Sequence, residues 1–489
     1  MAEISSVGSY ASNTSSIDIL IEKTLANERK PVEDLQAAKK ELNRRLTVYT
    51  DLKAKLNALM DIAKGFTRVG ALNSLIKKTA TSSNESFVTI TASGSAVNGK
   101  YSIMVNRLAT ADTVISKQVA AANTDLAATS AGTQEFTLAV GSGSPVTITV
   151  TINPDETNES VMNKIRDAIN NAGLDVNATV VRDTSSTVRL VVKSTKTGAD
   201  NALVMDEIGG SNILRKLQYL TNNGARRLSS SGSGGFLVQD TADLDAQFKL
   251  DGIEIIKGTN EITDVITGAT IKLQRAQSPD DQPITLTIAN DTQGTRTEIE
   301  KFIEKYNDVI KYLNEKTRVD TVNFTRGDLV GDVVFSGLKL SMRGAVTGKV
   351  EGLPEGAVQF LTSVGIEVSR DGTLSIAKPD VFDEKLKTNV EQVINLFTGE
   401  EGLGSRMSEL LDRFVSNGGA VDRTKQGVNR QISSIDTRIK NYEARLNIRA
   451  EALRRQYTQL QKTLSLLNSQ QTILQGFLQN NLQTLTLSS

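Results

Sequence analysis

Few residues in this 489-residue chain combine the types and spacing that chemistry requires. Ser74 and Lys77 form a Ser-x-x-Lys, and Lys196-Thr197-Gly198 follows later. In penicillin-binding enzymes such a pair supplies a serine nucleophile and its cationic neighbours, but a Ser-Asp-Asn is also required and none occurs. Ser74 falls beside a helix-to-strand changeover and Lys196 in a polar strand-end turn, so no common element brings them together. Asp280-Asp281 and Asp383-Glu384 are carboxylate pairs. Glycoside hydrolysis needs two acids held about 5–9.5 Å apart across a cleft, whereas adjacent surface acids read as solvated turns.

Composition removes most other options. The chain has no His, Cys or Trp. The commonest general base, the thiolate nucleophile, the usual zinc ligands and any disulfide framework go with them. No Gly-rich phosphate loop of the required spacing is present. Lys and Arg number 56, as do Asp and Glu, so no net field selects nucleic acid or an acidic membrane. Arg423 to Arg455 holds nine basic and three acidic residues, but they ring a helical rod without interleaved aromatics and read as its charged flank. No apolar run reaches the ~18–20 residues of a membrane span, and no secretory leader is apparent. The expectation is a protein with no catalytic, cofactor-binding or metal-ligating residue, which inserts in no membrane.

The elements that position everything else lie at the two ends. From the C-terminal end, Ile432, Ile439, Leu446, Leu453, Leu460, Leu467 and Leu474 recur by sevens without a miss. Companions follow at plus three (Ile435, Tyr442) and then plus four (Ala450, Tyr457, Leu464), the drift of a 3.6-residue helix against a seven-residue repeat. Near the N-terminus a helical pattern starts at Ile17, pauses at Pro31 and continues as a second seam through Leu35, Leu42, Tyr49 and Leu56. Each rod has an apolar stripe that its own sequence cannot cover. The two either pair with each other or associate between copies, and the sequence leaves both open. After Lys462 no charged side chain occurs, so the tail has an apolar face and a neutral polar one and is expected to order on docking.

Between the rods the period changes to two. Short strands rich in Thr, Val and Ile run from about Thr79 to Asn290. Strands at 136–140 and 146–152, a helix through Val161, Ile165 and Ile169 stopped by Gly173, and strands at 176–182 and 188–194 form a hairpin–helix–hairpin unit. Asp251-Gly252 and Asp371-Gly372 mark hairpin turns. The expected fold class is a multidomain α+β protein, with paired terminal coiled-coil legs, a helical bundle and inserted β-rich heads. Residues 1–16 are expected to be disordered, 17–43 with 416–489 to form the leg, and 44–78 with 293–415 the helical core. Residues 79–128 with 236–292 form one β-rich head and 129–235 a second, closed by a Ser/Gly linker at 229–235.

Several stretches resemble the flagellar hook-associated protein 2 family, the filament cap proteins. IDILIEKTLANERKPVEDLQ (17–36) is similar to its N-terminal signature and GKYSIMVNRLA (99–109) to its GxYxxxVxxLA strand. AQFKLDGIEIIKGTNEITDVITGATIKLQ (246–274), FIEKYNDVI (302–310), SVGIEVSRDGTLSI with NLFTG (395–399), and LRRQYTQLQKTLSLLNSQQTIL (453–474) also match in order. The unit at 136–194 is similar to a module shared with flagellins and other hook-associated proteins. The resemblance implies an extracellular protein, exported through the flagellar type III apparatus without a cleaved signal peptide and with an export chaperone as partner; residues 1–16 would be its export-type head. It implies a homo-oligomeric ring at the distal filament tip that promotes folding and polymerisation of flagellin without catalysis. A hook–filament junction protein, or a flagellum-borne adhesin for a host surface, is the alternative. Under the capping reading, Leu35, Leu42, Tyr49, Leu56 and the heptad from Ile432 to Leu474 are the expected oligomer and filament contacts.

Overall fold

The chain opens with α1 (Ile4–Thr67), a single 64-residue helix. In this computed structural model residues 4–320, 322, 325–354 and 356–486 are described, with side chains for 18–19, 21–70, 72–319, 322, 325–354 and 356–478. Two compact units result: a β-rich one, residues 68–297, and a helical one, residues 1–67 with 298–489. The architecture is α+β, with the β-rich unit lying in sequence between two long terminal helices.

The β-rich unit has two cores. Its first part comprises β1 (Lys78–Ser82), β2 (Val88–Ala92) and β3 (Gly99–Arg107). The second follows with β4 (Ala111–Ile115), β5 (Val119–Ala120), α2 (Asp125–Ser130), β6 (Gly132–Val140) and β7 (Val146–Ile152). It continues through α3 (Asn158–Asn170), β8 (Val176–Arg182), β9 (Thr187–Thr197) and β10 (Leu203–Glu207). It ends with α4 (Ile213–Lys216) and β11 (Gly235–Phe236). The chain then returns to the first part as β12 (Ala246–Leu250), β13 (Ile253–Lys257), β14 (Glu261–Ile262), β15 (Ala269–Leu273) and β16 (Ile284–Asn290).

In the first part an antiparallel sheet runs β1-β16-β3-β12-β13, and a smaller one runs β14-β15-β2. Period-two burial makes these strands: Ala246, Phe248 and Leu250 of β12 point inward with Ile103 and Val105 of β3, while Gln247 and Lys249 do not. The β12–β13 connection is Asp251-Gly252, with φ of 50° and 83°. Two successive left-handed residues suit the right-handed twist of the flanking strands, which is why Asp-Gly marks such turns.

The second core gathers β6, β7, α3 and β9. Phe136, Leu138, Ile148 and Val150 face Val161, Met162, Ile165 and Ile169, with Val188, Leu190 and Val192 beyond. The Thr157 hydroxyl accepts from the Ser160 N–H at the start of α3, satisfying one of its unpaired donors. Val114, Val119, Leu126 and Ala127 belong to this core. The boundary therefore lies near residue 110 instead of 128/129, because the apolar faces of β4 and α2 are buried on this side.

The Ser/Gly stretch also departs from a flexible linker. Gly234 and Gly235 are buried, and a Cβ at either would come within 2.5 Å of backbone oxygens, Leu217 O and Arg227 O respectively. Here glycine permits close backbone approach. The segment is pinned by Arg226, whose guanidinium pairs with fully buried Asp112 and lies 3.7 Å from the Phe236 ring centre.

After α5 (Thr292–Thr317) come β17 (Val319–Asp320), β18 (Thr325–Arg326) and α6 (Val333–Thr347). The hairpin β19 (Ile366–Val368) and β20 (Leu374–Ile376) precedes α7 (Pro379–Thr388), α8 (Val390–Thr398), α9 (Leu403–Val415) and α10 (Ala420–Thr486). The bundle core joins α1, α5 and α8 through Phe66, Phe302 and Phe397, with ring centres 5.7–6.0 Å apart and both contacts to Phe397 edge-on. That geometry sets the positive ring edge against the negative face. Gly404 lets α9 press against α1, since a Cβ there would stand 2.8 Å from Phe66 Cβ and 3.0 Å from Ala63 O.

Candidate assembly interface on the terminal helices

α1 and α10 run antiparallel, and their ion pairs give the register. Asp18 pairs with Arg454 at 2.7 Å, Glu28 with Arg449 at 3.9 Å, Lys39 with Asp436 at 2.5 Å and Lys53 with Asp422 at 2.5 Å. As one number rises the other falls over 35 residues of α1, a length of roughly 50 Å. Such partly exposed pairs contribute little energy, but repeated opposite charges hold one register. The hydrogen bond from Lys53 keeps the Asp422 carboxyl below the usual carboxylate range.

Between the charges lies the apolar seam. Ile21, Leu25 and Leu453 are buried together, with Leu446, Ala450 and Tyr457 packed around them. Leu25, Val32 and Leu35 are buried on either side of Pro31, so α1 continues through the proline instead of pausing; the buried stripe opposes the cost of its missing N–H. The helical backbone also includes residues 4–16, where the sequence led us to expect disorder. Extending an existing helix avoids the cost of nucleation. Residues 1–3 lie outside the described residues.

The expected contact residues fall into three groups. Tyr49 and Leu56 are fully buried within this chain. The Tyr49 ring packs tilted against Phe335 with centres 5.3 Å apart, and its hydroxyl receives a hydrogen bond from Arg45 at 2.9 Å and donates to Asp332 at 3.2 Å. Burial pushes its hydroxyl pKa up, against the opposing Arg45 charge. These two are core residues of the bundle, because the bundle helices cover α1 there before another subunit could. The second group is covered by the pairing of α1 and α10: Leu35 and Leu453 are buried, and Leu42, Ile432, Ile439 and Leu446 are half-buried. Leu42 also lines an open, polar cleft of about 830 Å³ between α1 and the start of α6, bridged by Arg44 and Asp328 at 2.9 Å.

The third group is bare. Leu460, Leu467 and Leu474 are 54%, 53% and 63% exposed. Leu464, Ile473, Phe477 and Leu478 are exposed beside them. The segment that the sequence expected to order on docking continues α10 as helix to Thr486, propagated from its covered part. Contiguous apolar faces left exposed in this way are typical of interaction surfaces, which makes this stretch the candidate.

The residues with catalytic spacing have structural settings. Lys196 pairs with exposed Asp175 at 2.6 Å, Gly198 abuts Gly258, and Asp281 accepts the Ser278 N–H within a turn. Among the described residues no group of acids is placed to hold a metal ion, and no helix is long and apolar enough to cross a membrane. Sequence reasoning missed Gly404, whose role is steric, and the exposed Val333 and Leu340 on α6, which lie outside any sustained repeat.

Comparison with known proteins gives a consistent answer. Residues 14–112 match the family model described as flagellar hook-associated protein 2 N-terminus, and residues 244–469 the corresponding C-terminus. The B-type flagellar hook-associated protein 2 of Pseudomonas aeruginosa is 31% identical over 468 residues, covering 93% of each chain. The A-type protein of Pseudomonas aeruginosa is 28% identical, over 96% of each chain. Among solved structures, the D1-D2-D3 domains of the flagellar cap protein FliD from Escherichia coli superpose with a TM-score of 0.62 at 25% identity, covering 78% of this chain and 99% of that one.

Proposed function

The chain belongs to the flagellar hook-associated protein 2 family, and from that premise we propose that it caps the distal tip of the bacterial flagellar filament. Copies form a ring outside the cell. Flagellin subunits arriving unfolded add beneath it, and the cap promotes their folding and polymerisation by confinement and contact, with no bond made or broken. The β-rich domains form the plate, and the terminal helices form legs that reach the filament. The protein itself travels through the type III apparatus with an export chaperone and keeps its N-terminus.

The observation that carries this reading is the heptad seam, covered within the chain as far as Leu453 and bare from Leu460 to Leu478. A cap must hold on while shifting at each added subunit, so its grip should be broad, weak and free of a fixed register. A greasy face with no charge beyond Lys462 provides that, since no ion pair locks one orientation. Deletion of the gene tests it. Flagellin is expected to spill unpolymerised into the medium while hooks remain, and labelled protein in complemented cells is expected at filament tips. Label at the hook–filament junction, or normal filaments in the deletion strain, would overturn the reading.

A further inference from the structure

The three-stranded sheet of the second β-rich core runs β10-β6-β7, which leaves β7 at its edge. Its sequence is Val146-Thr-Ile-Thr-Val-Thr-Ile152. Most edge strands defend themselves with charge. Here β1 carries Lys78, β13 carries Glu254 and Lys257, β10 carries Asp206 and Glu207, and β8 carries Arg182. β7 carries none and is the longest uncharged edge strand among the described residues; uncharged β2 is shorter and packs against β1.

The orientation of its backbone follows from its neighbours. The Glu135 N–H donates to Ser211, and the Glu135 carbonyl accepts from the Ile208 N–H, so both groups of Glu135 turn away from β7. Glu135 lies opposite Thr149, which makes this a pair not bonded to each other in the ladder. Thr149 therefore turns its N–H and C=O to the open edge, and by alternation so do Thr147 and Thr151. Lys164 confirms the direction, donating to the Thr151 carbonyl at 3.0 Å. All three threonines are exposed, while Ile148, Val150 and Ile152 are buried on the other face.

We infer that this edge pairs with the same strand of a second copy, antiparallel and centred on Thr149. The strand reads alike in both directions: Val146 stands against Ile152, Thr147 against Thr151, Ile148 against Val150, and Thr149 against itself. In an antiparallel pair about that centre every threonine meets a threonine and every buried aliphatic meets an aliphatic. A one-residue slip would set threonine against aliphatic along the whole strand. The two sheets become one of six strands, and the two copies of α3 cover the same face. The contact is isologous and closes as a pair, whereas a ring grows through heterologous contacts. Pairing through β7 is therefore an assembly step separate from ring closure, and its failure leaves the capping reading untouched.

The chain lacks cysteine, so single cysteines report the contact directly. Opposed residues at a bonded position have Cα atoms about 5.5 Å apart, within disulfide reach. Purified full-length T149C should give a disulfide-linked dimer on mild oxidation. T151C alone should not, but mixed with T147C it should give the heterodimer. Equal crosslinking of T149C and T151C overturns the proposal. So does a disulfide between T149C and an unfolded flagellin chain that carries an introduced cysteine, formed without a dimer, which would mark the edge as a site for incoming extended polypeptide. Sedimentation of the cysteine-free protein gives a second readout. Thr149→Lys sets like charges face to face and should weaken pairing by at least about tenfold with unchanged circular dichroism. Identical sedimentation of the two proteins also overturns it.

Discussion

Leu453 and Leu460 are one heptad apart on the same helix, yet the first is 7% exposed and the second 54%. The periodicity that links them is the same, and so is the residue. What differs is the supply of cover. Up to Leu453, α1 of the same chain lies opposite with matched charges; from Leu460 the seam is exposed, and the charges stop at Lys462. An apolar repeat states that a helix needs a partner, but not whose. The covered half belongs to folding, and on the proposed reading the bare half serves assembly, so substitutions should separate the two.

The largest contrast is expected between Leu56 and Leu467. Leu56→Ala empties a fully buried site and should cost about 2–5 kcal/mol through lost burial and a residual cavity. Leu467→Ala trims a side chain 53% exposed and should stay within about 0.5 kcal/mol in the isolated protein. Thermal or urea unfolding of both variants checks this. Similar losses would mean that Leu467 is covered in solution and would erase the distinction. Next in size is Gly404→Val, which forces a side chain between α9 and α1 where Phe66 Cβ already stands 2.8 Å from the Cβ position. Overpacking of that kind costs about 1–3 kcal/mol, read by the same unfolding curves.

How much of this was legible depended on whether a signal was local. Asp251-Gly252 announced its turn because two left-handed residues are a local demand, and α3 announced itself through apolar spacing and Gly173. The heptad was equally plain. Its division at Leu453 was not, because cover comes from residues more than 400 positions away. Tyr49 and Leu56 looked like seam residues for the same reason: their repeat is genuine, but the bundle claims them first. Gly234 and Gly235 have the composition of a linker and the surroundings of a core, and composition cannot tell close backbone approach from freedom. Pro31 looked like a pause in the helix because local propensity does not include the buried stripe on either side of it.

A smaller effect is expected at the base of the paired helices. Lys53 holds the Asp422 carboxyl below its ordinary pKa of 3.8. A depressed carboxylate stabilises the folded form above its unfolded pKa, and that contribution is lost as pH falls through the lower, folded value. Lys53→Ala should therefore weaken the helical unit slightly at neutral pH, and the gap to the parent should close below about pH 4. Unfolding midpoints across a pH series would show it; a gap that widens in acid would place the effect elsewhere.

The smallest effect on folding sharpens the comparison most. Leu478 is 63% exposed on the bare half of the seam, and Leu482 follows one turn later in sequence. Replacing both by Lys adds two charges to a stretch that has none after Lys462. In the free protein the change should fall within the surface range of about 0.5 kcal/mol, because Leu478 is mostly exposed. In the filament the same charges would have to leave water against an apolar surface, where an unpaired cation is expensive. Cells carrying the double variant should make a folded, exported protein and shorter filaments, with more flagellin in the medium. Normal filament length with normal export would show that the bare half of the heptad is not what grips the filament.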